Sequence, residues 1–261
     1  MVYLYYINIE YYVIMYITQD LLKKYGDKRG NLTEVKKGET GTGLLIEHDG
    51  HVIGNRDMVA QIKEDIEHHK EFVIPDKFIV SAVFQKYGIK NANGRVYPEA
   101  ILKREVEKYI NERVRVRASV GALDHPESST LSGHDVSHVI TNLQWQGHTL
   151  IGEMELHLTP GYRRYGIAST SGDLVANMVL NDILIGVSSR GVGSVEERLG
   201  VLEVGDDFEL IGWDVVIENS TPGAKIGMNR EELMQYVESD NSKDNKLLVN
   251  EKIERINKIL L

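Results

Sequence analysis

The sequence contains no cysteine. That absence excludes a disulfide framework, a thiolate nucleophile, and zinc or iron–sulfur sites built on cysteine. It also has no excess of positive charge: 30 Lys and Arg stand against 39 Asp and Glu, for a formal charge of -9 and a pI near 5.5. An acidic chain gains little overall from releasing counterions on a phosphate backbone, so broad nucleic-acid binding is not expected. Uninterrupted apolar runs of membrane-spanning length are missing as well. The first twenty residues are apolar and tyrosine-rich but have no basic n-region and no small-residue cleavage site, so neither a signal peptide nor a membrane span is expected there. Their alternation reads as a strand that needs a partner, and Met15 is an alternative start.

What is present suffices for one sizeable core: 261 residues, 42% of them hydrophobic. The stretch 21–76 is charged, rich in turn residues and weakly periodic, and reads as an extension, an arm or a propeptide. Residues 78–84 (FIVSAVF) read as a core strand. Pro98 then opens a helix whose Ile101, Leu102, Val106, Tyr109 and Ile110 form one apolar stripe. Arg113, Arg115 and Arg117 alternate with Val114 and Val116, as on a strand with a solvated face. Residues 136–156 have the pattern of a hairpin turning at Gly147. A short helix is expected over 173–181, and a buried strand over 183–187 that delivers two serines at its exit. Another strand follows over 208–217, then a polar linker (ESDNSKDNK) and a last helix.

Two segments carry candidate chemistry. Gly186-Val187-Ser188-Ser189-Arg190-Gly191 is small and hydroxyl-bearing, as suits a nucleophile with backbone N–H donors beside it. Its spacing differs from the G-x-S-x-G esterase elbow, and a Ser-Gly turn would look the same. Gly121-Ala122-Leu123-Asp124-His125-Pro126 supplies His125, the natural base for a serine hydroxyl, with its backbone biased toward extended geometry by Pro126. Asp124 is a poor partner for His125, because adjacent side chains on a strand point to opposite faces. Two other patterns are weaker. His134-Asp135-Val136-Ser137-His138 has zincin-like spacing but precedes a strand-like alternation, so both histidines read as solvated loop residues. Gly38 to Gly43 has phosphate-loop spacing without the lysine such a loop requires.

Four ordered motifs, NANGRVYP (91–98), KYINE (108–112), GALDHP (121–126) and GVSSRGVGS (186–194), resemble those of the prohead maturation proteases of large tailed phages, a family related to the herpesvirus assemblins. The resemblance spans about residues 78–225. It implies an α+β fold with a mostly antiparallel, barrel-like sheet and a few packed helices. It also implies a protease domain over 77–228, between an N-terminal extension (1–76) and a C-terminal helical extension with a polar linker (229–261). The expected activity is that of a serine endopeptidase without cofactor or metal, with Ser188 as nucleophile, His125 as base and Asp214 as third member. Ser189 would be a neighbour with a supporting role, and Arg190 and the backbone N–H groups near Gly191 would face the developing oxyanion. The family setting implies scaffold, core and major capsid proteins as substrates, self-cleavage, a homo-oligomeric form, and a place inside the assembling prohead in the host cytoplasm, with no membrane or nucleic-acid partner. One departure stands out: Ala122 occupies a position where the family pattern has Glu. A non-catalytic capsid or tail-tube protein on the same barrel ancestry is the alternative.

Overall fold

A computed structural model describes residues 33–54, 56–69, 74–126, 131–217, 234–235 and 237–245. The elements run β1 (Gly41–Gly54), α1 (Arg56–His69), β2 (Ile79–Lys86), β3 (Arg95–Val96) and α2 (Glu99–Tyr109), which continues as a π-helical segment (Ile110–Val114). There follow β4 (Val120–Ala122), β5 (Val136–Gln146), β6 (Thr149–Leu156), α3 (Pro160–Tyr165), α4 (Ser171–Leu180), β7 (Gly186–Arg198), β8 (Val201–Val204) and β9 (Glu209–Val216).

One mixed sheet dominates, in the order β3-β8-β7-β1-β2-β6-β5-β4, with β9 also paired to β7. Every pairing between these strands is antiparallel except β3 with β8. The sheet curls until its β4 end meets β9, where Leu123 bridges Val215 and the Asp124 N–H donates to the Val215 carbonyl at 2.7 Å. This curl makes the site, because it brings residues just after β4 onto the strand that lies beside β7.

The core inside the curl follows from side-chain alternation. Val80, Ala82 and Phe84 of β2 are buried, and the Phe84 ring meets Trp213 edge-on at 5.3 Å. Tyr109, at the end of the expected α2 stripe, meets the same indole at 5.1 Å. Leu102 and Val106 complete the buried face of that helix, while Pro98 stands at its N-cap in extended geometry. Each such aromatic or aliphatic side chain contributes roughly 1.5–3 kcal/mol of burial, which outweighs the weak local preference of any single turn. The hairpin turns at Gly147, whose φ of 59° falls where glycine is favoured. Helix α4 begins in a capping box: the Thr170 hydroxyl accepts from the Asp173 N–H and the Asp173 carboxylate accepts from the Thr170 N–H.

Several expectations are corrected. Residues 41–54, placed by the sequence in a loosely packed arm, form β1, an interior strand between β7 and β2. Residues 113–117 are not a strand. The helix runs on through Val114 and ends in a turn where Arg117 has φ 56°, with Arg115 N–H bonded to the Ile110 carbonyl at 3.0 Å. A helix already nucleated by α2 propagates at little cost, and this outweighs a five-residue alternation. Residues 183–185 precede the strand instead of belonging to it. The supposed polar linker is helical over 237–245: Val237 packs on Val83 and Ile151, and Lys86 lies 2.6 Å from both Asp240 and Asp244. The expected terminal strand and last helix lie outside the described residues.

Candidate active site

Strand β7 is built from small residues because it is packed on both edges and both faces. A Cβ on Gly191 would stand 2.3 Å from the Phe208 ring, and one on Gly193 2.9 Å from the Phe208 backbone. The glycines therefore serve close packing in the middle of a sheet, not a turn, and the two serines lie inside a paired strand instead of at its exit.

Register places Ser188 directly opposite Asp214 of β9. Cross-strand neighbours share a face, so the Ser188 hydroxyl and the Asp214 carboxylate emerge side by side. His125 arrives from β4. After the Leu123–Val215 bridge, Asp124 takes φ 63°, and this left-handed kink throws the next residue back over the strands. His125 Nε2 lies 2.7 Å from Ser188 Oγ, and His125 Nδ1 lies 2.8 Å from Asp214 Oδ2. Ser188 and Asp214 are buried, while the imidazole retains 18% of its exposure.

Asp214 is held by more than the imidazole. Arg190 Nε donates to Oδ2, Arg190 Nη2 donates to Oδ1 at 3.2 Å, and the Ala122 N–H donates to Oδ1 at 3.0 Å. Burial works against the Asp214 charge, but the bonds from His125, Arg190 and the Ala122 N–H hold its carboxyl below the ordinary carboxylate value. Gly121 makes the Ala122 contact possible, since a Cβ there would stand 2.1 Å from the Trp213 carbonyl oxygen. With no side chain at 121, β4 closes on β9 and a main-chain donor reaches the carboxylate.

The expected site residues thus divide. Ser188, His125, Asp214 and Arg190 converge. Ser189 points to the other face of β7, as strand alternation requires. Gly191 faces the Phe208 ring, and the strand around it is paired on both sides, with Leu45 and with Leu210. Arg190 is committed to Asp214 and is not aimed at an oxyanion. His134 is exposed, but His138 is not the solvated loop residue expected. It lies fully buried in β5, with Nδ1 2.9 Å from Ser137 Oγ.

Burial lowers the His138 pKa to about 4, against a smaller upward pull from the Asp214 charge. A histidine neutral in the fold but protonatable when unfolded costs stability as pH falls. The unfolded chain gains its proton near pH 6.5 and the folded chain only near 4. His138→Asn is therefore expected to remove about 3 kcal/mol of acid-induced destabilisation between those two values. Urea unfolding at pH 7 and pH 4.5 for both proteins checks this; identical pH slopes would contradict it.

A second polar cluster lies behind β7. Glu47, the β1 neighbour of Ser189, accepts from Arg95 Nη1 at 2.8 Å, Tyr97 Oη at 2.9 Å and Asn93 Nδ2 at 2.7 Å. Arg95 also donates to the Val35 and Lys36 carbonyls. The 91–98 motif is thus a clamp that closes its loop over a buried carboxylate. Its residue types were visible in the sequence, and its partner was not.

Residues 39–233 match the family model described as the prohead core protein serine protease. A curated relative, the prohead core protein protease of Enterobacteria phage T4, is 28% identical over 177 residues, covering 67% of this chain and 80% of the relative. The solved structure of the bacteriophage T4 capsid assembly protease superposes with a TM-score of 0.53 at 24% identity, covering 67% of this chain and 98% of that one. The T4 protein therefore shares the mixed, curled-sheet fold.

Proposed function

Because the chain belongs to the prohead core protein serine protease family and is a phage capsid-maturation protease, we propose that Ser188, His125 and Asp214 are its triad. One observation carries this reading: two hydrogen bonds, 2.7 Å and 2.8 Å, run in series from Ser188 Oγ through the imidazole to Asp214. In acylation, Ser188 Oγ bonds to the scissile carbonyl carbon as its proton passes to His125 Nε2. The C–N bond then breaks as that proton moves to the leaving amine, and water repeats the sequence to release the acid and restore Ser188. Asp214 keeps the Nδ1 proton in place and favours the imidazolium. The contact from position 122 to Asp214 is made by the main-chain N–H, which does not depend on the side chain carried there.

The substrates we propose are the scaffold, core and major capsid proteins of the same phage, cut inside the assembling prohead in the host cytoplasm, by an enzyme whose curled sheet is of the assemblin type. Self-cleavage follows at Glu34, in the Leu32-Thr33-Glu34 pattern. Thr33 to Val35 is already extended along β1, with Leu44 N–H bonded to the Thr33 carbonyl at 2.8 Å and Val35 N–H to the Leu44 carbonyl at 3.0 Å. Proteases take extended strands, and this one is released by breaking its bonds to Leu44 and those of Arg95 to the Val35 and Lys36 carbonyls. The alternative, Ile62-Lys63-Glu64, lies within α1 and requires a helix to unwind.

Purified protein mixed with the phage's own scaffold and major capsid proteins is expected to yield discrete fragments, and its own product is expected to begin at Val35. No fragment from any of these proteins would overturn the assignment of substrates.

A further inference from the structure

We infer that Arg190 is a positioning residue for proteolysis, its guanidinium fixing the orientation of the Asp214 carboxylate and balancing its charge so that His125 can act as a neutral base. The inference rests on the triad proposed above.

The geometry is that of a fork on a carboxylate. Arg190 engages both Asp214 oxygens, through Nε and Nη2, and its side chain keeps only 4% of its exposure. A planar guanidinium that grips both oxygens fixes the rotation of the carboxyl plane, which a single bond from an ammonium cannot do. Oδ2 then faces His125 Nδ1, and Oδ1 is tied to Ala122 N–H. Arg190 lies two residues beyond Ser188 on the same face of β7, which brings its guanidinium to the carboxylate that stands opposite Ser188.

The charge balance follows from what surrounds Asp214. From β7 comes Arg190, from the segment after β4 His125, and from β4 the Ala122 N–H. Buried His138 of β5 and Tyr109 of α2 are within reach of its charge, and burial holds both neutral. Arg113 of the π-helical segment acts on Tyr109. Among the described residues, Arg190 is therefore the permanently charged partner bonded to this carboxylate. Without it the remaining cation is the protonated imidazole, the form that cannot accept the Ser188 proton.

The test uses the full-length protein and a fluorogenic peptide from a mapped cleavage site. Arg190→Gln is expected to lower kcat about 10- to 100-fold with little change in KM. The acid limb of its kcat/KM profile is expected to move up by about one pH unit, because the variant loses a like charge near the imidazolium and leaves the Asp214 carboxylate unbalanced beside it. Arg190→Lys keeps the charge without the fork. It is expected to return the acid limb to its wild-type position while kcat per folded molecule, corrected by the folded fraction from a thermal melt, stays reduced; should the glutamine variant fail to fold, that corrected kcat is the readout, and a wild-type value overturns the inference. A purely structural arginine would lose activity in proportion to the unfolded fraction with the limb unmoved, and that result overturns the inference. Ser188→Ala and Asp214→Asn run alongside. If they keep full activity the triad reading itself fails, whereas if they lose activity and the Arg190 limb stays put only the role of Arg190 fails.

Discussion

Ser188→Ala is expected to cut scaffold cleavage by at least about 10⁴-fold while leaving a folded protein, and Ser189→Ala to cut it by less than about 10-fold. The contrast comes from strand alternation. Ser188 shares a face of β7 with Asp214 opposite and Arg190 two residues on, and its hydroxyl is 2.7 Å from the His125 base. Ser189 faces the clamp formed by Glu47 and Arg95, where the cross-strand carboxylate is already taken up by Arg95, Tyr97 and Asn93. The Ser188 substitution removes one hydrogen bond, about 1 kcal/mol, which is too little to unfold the domain. Fragment quantitation together with a thermal melt separates loss of chemistry from loss of fold. Ser188→Ala with more than a tenth of wild-type activity would remove Ser188 from the mechanism.

The second large effect falls on stability. Arg95→Met is expected to destabilise the protein by about 3–5 kcal/mol, because it leaves the Glu47 carboxylate buried without its cation. Tyr97 and Asn93 would still donate to Glu47, but neither carries charge, and the Val35 and Lys36 carbonyls would lose Arg95 as well. Glu47→Gln combined with Arg95→Met is expected to recover most of the loss, since the buried charge then disappears with its partner. Urea unfolding of the two variants measures the difference. A loss below about 1 kcal/mol in Arg95→Met would show that the pair does not hold β1 to the 91–98 loop.

The same two clusters show how far the sequence could be read. Elements with local periodicity were legible: the Leu102, Val106, Tyr109 stripe, the buried run of β2, and the hairpin at Gly147. So was the pairing of His125 with Ser188, through the order of the motifs, although the residues are 63 apart and no spacing rule joins them. What escaped depended on partners distant in the chain. Strand β1 looked like a turn-rich arm because its glycines and Glu47 are unusual inside a sheet, and Arg95, which makes Glu47 tolerable there, lies 48 residues away. Arg190 was read as an oxyanion donor because its partner is 24 residues away on another strand. His138 was read as solvated because its site exists only where Gly121 lacks a side chain: a Cβ there would stand 2.6 Å from His138 Nε2. The helix at 237–245 escaped for the same reason, since Lys86 and Val83 of β2 give its charged face and Val237 their partners.

The central claim, that Ser188 is a nucleophile activated by His125, is tested most directly by labelling the folded protein with a fluorophosphonate and mapping the modified residue by mass spectrometry. The account predicts one phosphonylated residue, Ser188, with labelling lost in His125→Ala and kept in Ser189→Ala. A label on Ser189 or elsewhere, or undiminished labelling of Ser188 in His125→Ala, would contradict it.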